Sequence, residues 1–196
     1  MSPALLKKEW RQKLLERRKA LGPRKREEYS RQIVQNLLED PLYQGSKVVL
    51  LYVSFGTEVQ TLALIKHALE QGKEVYLPRT LLQEKRLSLH RLFELDELEP
   101  GAYGILEPPS GNPELAPEAL ELVVTPGVGF DLRGGRLGYG GGFYDRLFQE
   151  APKAHRLALA FSCQVVEELP LEPHDQRMER LITEKGPLLC KRKAPS

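Results

Sequence analysis

The chain has 196 residues, of which 41% are hydrophobic and 29% charged. That is the length of one domain with a sizeable core, and the composition excludes a disordered polymer; no apolar run is long enough to span a bilayer. The net charge of +2 is unevenly placed, because residues 1–31 carry eleven Lys/Arg against four Glu while the remainder carries eighteen against twenty-three acids. A basic arm on a mildly acidic body implies an anionic partner such as a nucleotide, a nucleic acid or a membrane surface.

Charges recur throughout the first 21 residues and leave no apolar signal-peptide core, so a cytoplasmic location is expected. Leu5, Leu6, Trp10, Leu14 and Leu21 form an approximate helical stripe, broken by Gly22-Pro23. A second helix is predicted from about Arg24 to Glu39, with Tyr29, Ile33, Leu37 and Leu38 on its apolar side and Pro41 closing it. These two helices make a basic N-terminal arm over about residues 1–40 of a single domain spanning 1–196.

Lys47–Val53 is a continuous apolar run of strand length, the pattern of a strand covered on both faces. Thr57-Glu-Val-Gln60 has the form of a capping box and predicts a helix through Leu62, Ile65 and Leu69 to about Gly72. Glu74–Leu77 is the next strand, ended by Pro78, which completes a βαβ unit and implies an α/β sheet. Leu87–Leu92 alternates like a further strand, and residues 99–118 read as a long surface loop rich in Pro and Gly. Leu120–Thr125 is a buried strand, a helix covers about Phe143 to Glu150, and Leu157–Phe161 and Leu181–Thr183 are closing strands. The tail Lys191–Lys193 is expected to fray.

Cys163 and Cys190 have no metal-ligand spacing and read as free thiols in a reducing compartment. His67, His90, His155 and His174 show no ligand spacing either; His67 reads as structural, and His174 beside Asp175 could position a loop near the site.

The most informative segment is Thr125–Phe148. Gly134, Gly135, Gly138, Gly140, Gly141 and Gly142 crowd between a buried strand and a helix. Glycines let the backbone approach a ligand, and successive N–H groups ahead of a helix start can cradle an anion. Arg133 and Arg136 add side-chain donors for phosphate. The segment is not a Walker A loop, because the Gly-Lys-Ser/Thr ending is missing, nor a dinucleotide fingerprint, because Phe143 stands where the third glycine would. Asp145 is either a first-turn carboxylate favouring the helix dipole or a ligand for Mg²⁺. Arg146 precedes Glu150 by four residues, as in a helix-surface pair.

The string RLGYGGGFYDR (136–146), preceded by TPGVGFD (125–131), closely resembles the 5-formyltetrahydrofolate cyclo-ligase (5,10-methenyltetrahydrofolate synthetase) family. Lys7-Lys-Glu-Trp-Arg11 resembles its Lys-x-x-x-Arg opening, Leu50–Val53 followed by Glu58 its folate loop, and His174-Asp175 with Leu181–Thr183 its closing segment. The resemblance implies a three-layer α/β sandwich with a mostly parallel central sheet, like that of sugar-phosphate isomerases and CoA transferases. It also implies a reaction: ATP and Mg²⁺ drive cyclisation of 5-formyltetrahydrofolate to 5,10-methenyltetrahydrofolate, releasing ADP and phosphate. Phosphorylating the formyl oxygen makes a poor leaving group a good one, and N10 then attacks; positioning and charge stabilisation suffice, without a side-chain nucleophile.

Carried over by residue, Lys7 and Arg11 would meet the ATP phosphates. Arg136, Leu137, Gly138, Tyr139, Gly140, Gly141, Gly142, Phe143 and Tyr144 would wrap the triphosphate, with Arg136 and Tyr144 at the reacting group. Glu58 would recognise the amidine-like N–H edge of the pterin, and Val53 and Phe55 would line its apolar pocket together with Tyr139, Gly140, Gly141, Gly142 and Phe143. Asp145 would hold Mg²⁺. Where many relatives carry a Val-Asp pair this chain has Met178-Glu179, so Glu179 would have to supply any second carboxylate. Lys85, Arg86 and Arg91 are candidates, by charge alone, for the glutamate tail.

Two other readings compete. A nucleic-acid-binding protein would use the basic arm, but the arm has one aromatic residue, Trp10, and lacks the aromatic interleaving of single-strand binders. Another enzyme of the same fold, of isomerase or CoA transferase type, is permitted by fold but does not account for the glycine-rich string. The expected partners are therefore 5-formyltetrahydrofolate and ATP, with no nucleic acid, membrane or obligate protein partner.

Overall fold

The computed structural model describes residues 2–173 and 175–191. The helices are α1 (Pro3–Ala20), α2 (Gly22–Leu38), α3 (Pro41–Gln44), α4 (Leu62–Glu70) and α5 (Phe143–Glu150). The first seven strands are β1 (Val48–Leu50), β2 (Glu74–Leu81), β3 (Arg86–Arg91), β4 (Glu99–Pro100), β5 (Leu106–Glu107), β6 (Glu114–Leu115) and β7 (Leu122–Thr125). The others are β8 (Gly129–Asp131), β9 (Arg136–Leu137), β10 (His155–Leu159), β11 (Val165–Val166), β12 (Arg180–Thr183) and β13 (Gly186–Leu189).

Eight strands form the main sheet in the order β13-β12-β10-β7-β1-β2-β3-β6. The five central strands, β12 to β2, are mutually parallel, and antiparallel partners close both edges. The expected mostly parallel α/β sandwich is therefore present, including the βαβ unit β1–α4–β2. Successive residues of each central strand enter opposite cores: Val49, Val75, Leu122, Val124, Leu157 and Ile182 pack with Ile33, Leu37, Leu64 and Ile65 of α2 and α4. Leu50, Tyr76, Val123, Ala158 and Leu181 pack with Leu147 and Phe148 of α5. Period-2 alternation between two buried faces is why these strands read as continuous apolar runs. Truncating a fully buried leucine here, such as Leu50, would cost about 2–5 kcal/mol.

Three local expectations are corrected. β2 does not end at Pro78; it runs on to Leu81, paired with β3. Along β2 the backbone groups point alternately to each neighbour: the Val75 carbonyl accepts from Leu92, and that of Tyr76 accepts from Leu51 beyond β1. Pro78 shares the direction of Tyr76, but the ladder with β1 stops at Tyr76, so no partner loses a donor to the proline.

The helix expected from Thr57 starts at Leu62 instead. The Thr61 hydroxyl donates to the Tyr52 carbonyl and accepts from Ser54 N–H, while Ser54 Oγ accepts from Thr61 N–H. This reciprocal lock holds residues 52–61 as a rigid loop.

The third correction concerns α1. Of the expected stripe, Leu14 is buried and Trp10 and Leu21 pack against the cores, but Leu5 is exposed, and Lys7, Arg11 and Arg18, at i, i+4 and i+11, share the inward side with Leu14. α2 ends at Leu38, ahead of Pro41 as expected, and Pro41 also opens the short α3 with Asp40 as its N-cap. Residues 99–118 form a loop carrying the β4–β5 hairpin and edge strand β6. Cys163 and Cys190 are free. Lys191 donates its N–H to the Leu132 carbonyl, and Arg192 and Lys193 lie outside the described residues. Among the described residues no helix is long and apolar enough to cross a membrane.

Candidate active site

A cavity of about 870 Å³ opens at the carboxyl ends of the central strands. The chain leaves β1 for β2 on one side, while β7 on the other side of β1 leads to β10. Such a reversal leaves a crevice between the two loops, the usual place for a ligand in an open α/β sheet. The loop after β1 supplies Tyr52, Val53, Phe55 and Glu58; β2 supplies Pro78 and Thr80; the segment after β7 supplies Pro126 and residues 136–145; and α1 supplies Lys7 and Arg11.

The residues expected at the ATP phosphates, the pterin and the reacting group all line this cavity, as does Asp145, but Glu179 does not. Glu179 lies elsewhere: its carboxylate is 3.2 Å from His155 Nδ1 and accepts from the Arg156 N–H. Of the two expected metal ligands, only Asp145 lines the cavity. Lys85, Arg86 and Arg91 do not line the cavity either; Arg86 pairs with Glu84 and Glu114, and Arg91 with Glu74. His67, His90 and His155 are absent from the lining, and His174 lies outside the described residues.

The glycine tract divides in two. Gly134 and Gly135 belong to a buried turn organised by Asp131, whose carboxylate accepts from the N–H groups of Arg133, Gly135 and Leu169. Arg133, expected as a phosphate donor, pairs with Asp131 and Glu168 and does not line the cavity. Gly138 to Gly142 line the cavity. Gly140 at φ 103° and Gly142 at φ 72° occupy the left-handed region, and Gly142 is the N-cap of α5. A Cβ at Gly138 would lie 3.1 Å from both Nη atoms of Arg136, so that glycine makes room for the guanidinium.

Arg136 donates through Nε to the Pro126 carbonyl at 2.7 Å, and its guanidinium stands 5.1 Å from the Tyr144 ring centroid. Burial pulls its pKa down, opposed by Asp145 and Tyr144. Burial likewise raises the Tyr144 hydroxyl pKa. Arg11 Nε donates to the Gly138 carbonyl at 2.8 Å, tying the loop to α1. Lys7 Nζ sits 3.0 Å from Asp175 and 3.2 Å from Glu172; burial works to lower its pKa, but these carboxylates outweigh it and the net shift is upward. Asp145 lies in the first turn of α5 and also lines the cavity, so both of its expected roles are compatible. Arg146 makes the expected pair with Glu150 and also donates to the carbonyls of Glu84 and Lys85.

Glu58 is buried, with 8% of its surface exposed. Its Oε1 accepts from the Phe55 N–H at 2.7 Å and Oε2 from the Tyr139 hydroxyl at 3.1 Å. It therefore does not cap α4. Burial raises its pKa despite opposing contributions from Phe55 N–H, Arg18, Tyr139 and Arg136. Burial beside Glu58 also pushes the Tyr139 hydroxyl up to about 12. Sequence reasoning missed Tyr52, Arg18 and Glu107. Tyr52 and Glu107 are buried in the cavity wall; Tyr52 lies within the Leu50–Val53 segment but is not singled out by it, and no motif marks Glu107. Arg18 was concealed by the basic run around it, although its i+11 offset from Lys7 is a readable signal.

The cavity thus brings the buried Glu58 carboxylate together with the Gly138–Gly142 loop and the guanidinium groups of Arg11 and Arg136. One end suits a hydrogen-bond-donating heterocycle, and the other an anion.

The comparisons agree over almost the entire chain. A model of the "5-formyltetrahydrofolate cyclo-ligase family" matches residues 4–184. The mouse protein named 5-formyltetrahydrofolate cyclo-ligase is 31% identical over 188 residues, covering 90% of this chain and 93% of its own. The Escherichia coli K12 protein of the same name is 33% identical over 172 residues, covering 86% and 94%. The NMR structure of 5,10-methenyltetrahydrofolate synthetase from Aquifex aeolicus superposes with a TM-score of 0.84 at 35% identity, covering 97% of this chain and 96% of that one. Sequence, fold and cavity lining converge, and the chain belongs to the 5-formyltetrahydrofolate cyclo-ligase family.

Proposed function

We propose that this chain converts 5-formyltetrahydrofolate to 5,10-methenyltetrahydrofolate while turning ATP into ADP and phosphate. The observation that carries the reading is one cavity holding Glu58 at a buried wall and Arg136 beside the Gly138–Gly142 loop. The Glu58 carboxylate receives the paired N–H donors of the pterin, and Val53 and Phe55 flank its ring. The glycine loop, Lys7 and Arg11 bind the triphosphate. Arg136 lies against the formyl oxygen and the transferring phosphoryl group, where negative charge is redistributed, and Tyr144 packs beside it. The γ-phosphoryl passes to the formyl oxygen as ADP departs. N10 then attacks the activated carbon, phosphate leaves with that oxygen, and the N10 proton is lost. Oriented binding and fixed positive charge supply the catalysis.

Asp145 is the residue suited to Mg²⁺, because a hard cation takes one or two carboxylates with phosphate oxygens and water, and Asp145 stands at the loop that would hold those phosphates. The ion would neutralise triphosphate charge. Asp145→Asn should raise the Mg²⁺ concentration needed for nucleotide binding by about tenfold or more. Calorimetric titration with ATP at graded Mg²⁺ measures this, and an unmoved midpoint removes Asp145 from the ligand set.

The direct test mixes purified protein, Mg-ATP and 5-formyltetrahydrofolate. The methenyl chromophore should appear together with an equal amount of ADP; folded protein that yields neither refutes the assignment. A nucleic-acid role finds little support, since Lys7, Arg11 and Arg18 of the basic arm turn inward.

A further inference from the structure

Arg18 is buried at 3% exposure and does not line the cavity. Each nitrogen of its fork donates to a neutral oxygen on a different wall of the site. Nε reaches Thr57 Oγ1 at 2.9 Å in the loop after β1; Nη1 reaches the Gly127 carbonyl at 3.3 Å after β7; Nη2 reaches the Tyr139 hydroxyl at 3.0 Å in the glycine-rich loop. A planar, permanently charged fork spreads its donors over three nitrogens and so reaches oxygens on separate segments, whereas an ammonium offers its three donors from a single atom.

The hydroxyl of Tyr139 is otherwise a rotor. Because its oxygen accepts from Arg18, its proton is directed elsewhere, and it goes to Glu58 Oε2 at 3.1 Å. Glu58 Oε1 is fixed from the other side by the Phe55 N–H. A glutamate carboxylate turns easily about its last torsion, and one donor on each oxygen sets its plane. A second lone pair remains on each oxygen for an incoming ligand. Thr57, held by the same guanidinium, precedes Glu58 in the chain, so Arg18 governs both the backbone and the carboxylate of that residue.

We propose that Arg18 is a positioning residue for the folate-binding carboxylate of Glu58, acting through the Tyr139 hydroxyl and Thr57 to hold it in one orientation. The proposal rests on the folate reading of the cavity. The groups facing Glu58 are Arg18 from α1, Tyr52 beyond β1, Tyr139 and Arg136 from the glycine-rich loop and β9, and Tyr144 from α5. Of these, only Arg18 and Arg136 are cations, so losing Arg18 removes one of two charges that oppose burial.

Binding of 5-formyltetrahydrofolate, measured by calorimetry without ATP across pH, tests this in wild type, Arg18→Met, Arg18→Lys and Tyr139→Phe, with circular dichroism to confirm folding. Arg18→Met should weaken folate binding about tenfold, move the acid limb of binding to higher pH, and leave Mg-ATP affinity within about twofold. Arg18→Lys should restore the acid limb, which follows charge, but not the affinity, which follows the fork. Folded Arg18→Met with the affinity and acid limb of the wild type overturns the proposal. If Arg18→Met does not fold, Tyr139→Phe decides, because it cuts the same chain of hydrogen bonds; an unchanged affinity and acid limb in that variant also overturns it. Wild type that binds Mg-ATP but no 5-formyltetrahydrofolate defeats the folate reading itself, and the Arg18 role with it.

Discussion

Replacing Arg136 with alanine should lower kcat by about a hundredfold to a thousandfold, the usual effect of removing one preorganised donor from a site of developing charge. The guanidinium is set before substrate arrives: Nε is anchored to the Pro126 carbonyl, the plane lies near Tyr144, and Gly138 leaves space for the Nη groups. Its partial desolvation strengthens each contact with phosphate. The fold should lose only about 1 kcal/mol, for one hydrogen bond to a carbonyl, and Tm should fall by about 2–4 °C. Turnover at saturating substrates and a melting curve measure the two effects separately. Arg136→Lys should recover part of the rate, because charge remains while the fork is lost. An alanine variant that melts normally and turns over like wild type would exclude Arg136 from the chemistry.

The second large effect is expected at Glu58. Glu58→Gln keeps the size of the side chain but replaces one acceptor oxygen with a donor, which faces either Tyr139 or the ligand. The KM for 5-formyltetrahydrofolate should rise about tenfold to a hundredfold, with the KM for ATP nearly unchanged. The pH dependence carries a distinct signature. Burial holds the Glu58 carboxyl above its ordinary range, so folate affinity should decline on acidification before exposed carboxylates titrate. Stability should respond in the opposite sense. An acid whose pKa is raised on folding binds its proton more tightly in the folded chain, so its contribution to stability grows as pH falls through the folded value towards the unfolded one. Weakened binding with an intact melting transition therefore identifies protonation at the site rather than unfolding. Glu58→Gln should flatten the acid limb; a variant that keeps the limb would place the titrating group elsewhere.

The central sheet was legible because both its faces are buried, and alternation between two cores leaves an unbroken apolar run such as Lys47–Val53. Loops are less legible, because the partner that decides them is distant in sequence. Thr57–Gln60 has the letters of a capping box, yet the Thr61 hydroxyl is taken by Tyr52 and Ser54, and the helix waits until Leu62. Pro78 looks like a terminator only when the missing partner of its backbone is unknown. The glycine tract identified the site, but composition alone did not separate Gly134–Gly135, committed to Asp131, from Gly138–Gly142, which face the cavity. Glu179 followed a family position and lies beside His155 instead. Arg18 stayed hidden because a buried cation and a solvated one look alike in a basic helix.

The contact between Lys7 and Asp175 joins residues 168 positions apart in the chain. Both residues line the cavity, so the candidate site draws on α1 at the start of the described chain and on the segment just before β12. Occupancy and integrity are thereby linked: a ligand bound against both segments would resist the separation of α1 from the body, and would protect the folded domain in proportion to the logarithm of its concentration once that exceeds its Kd.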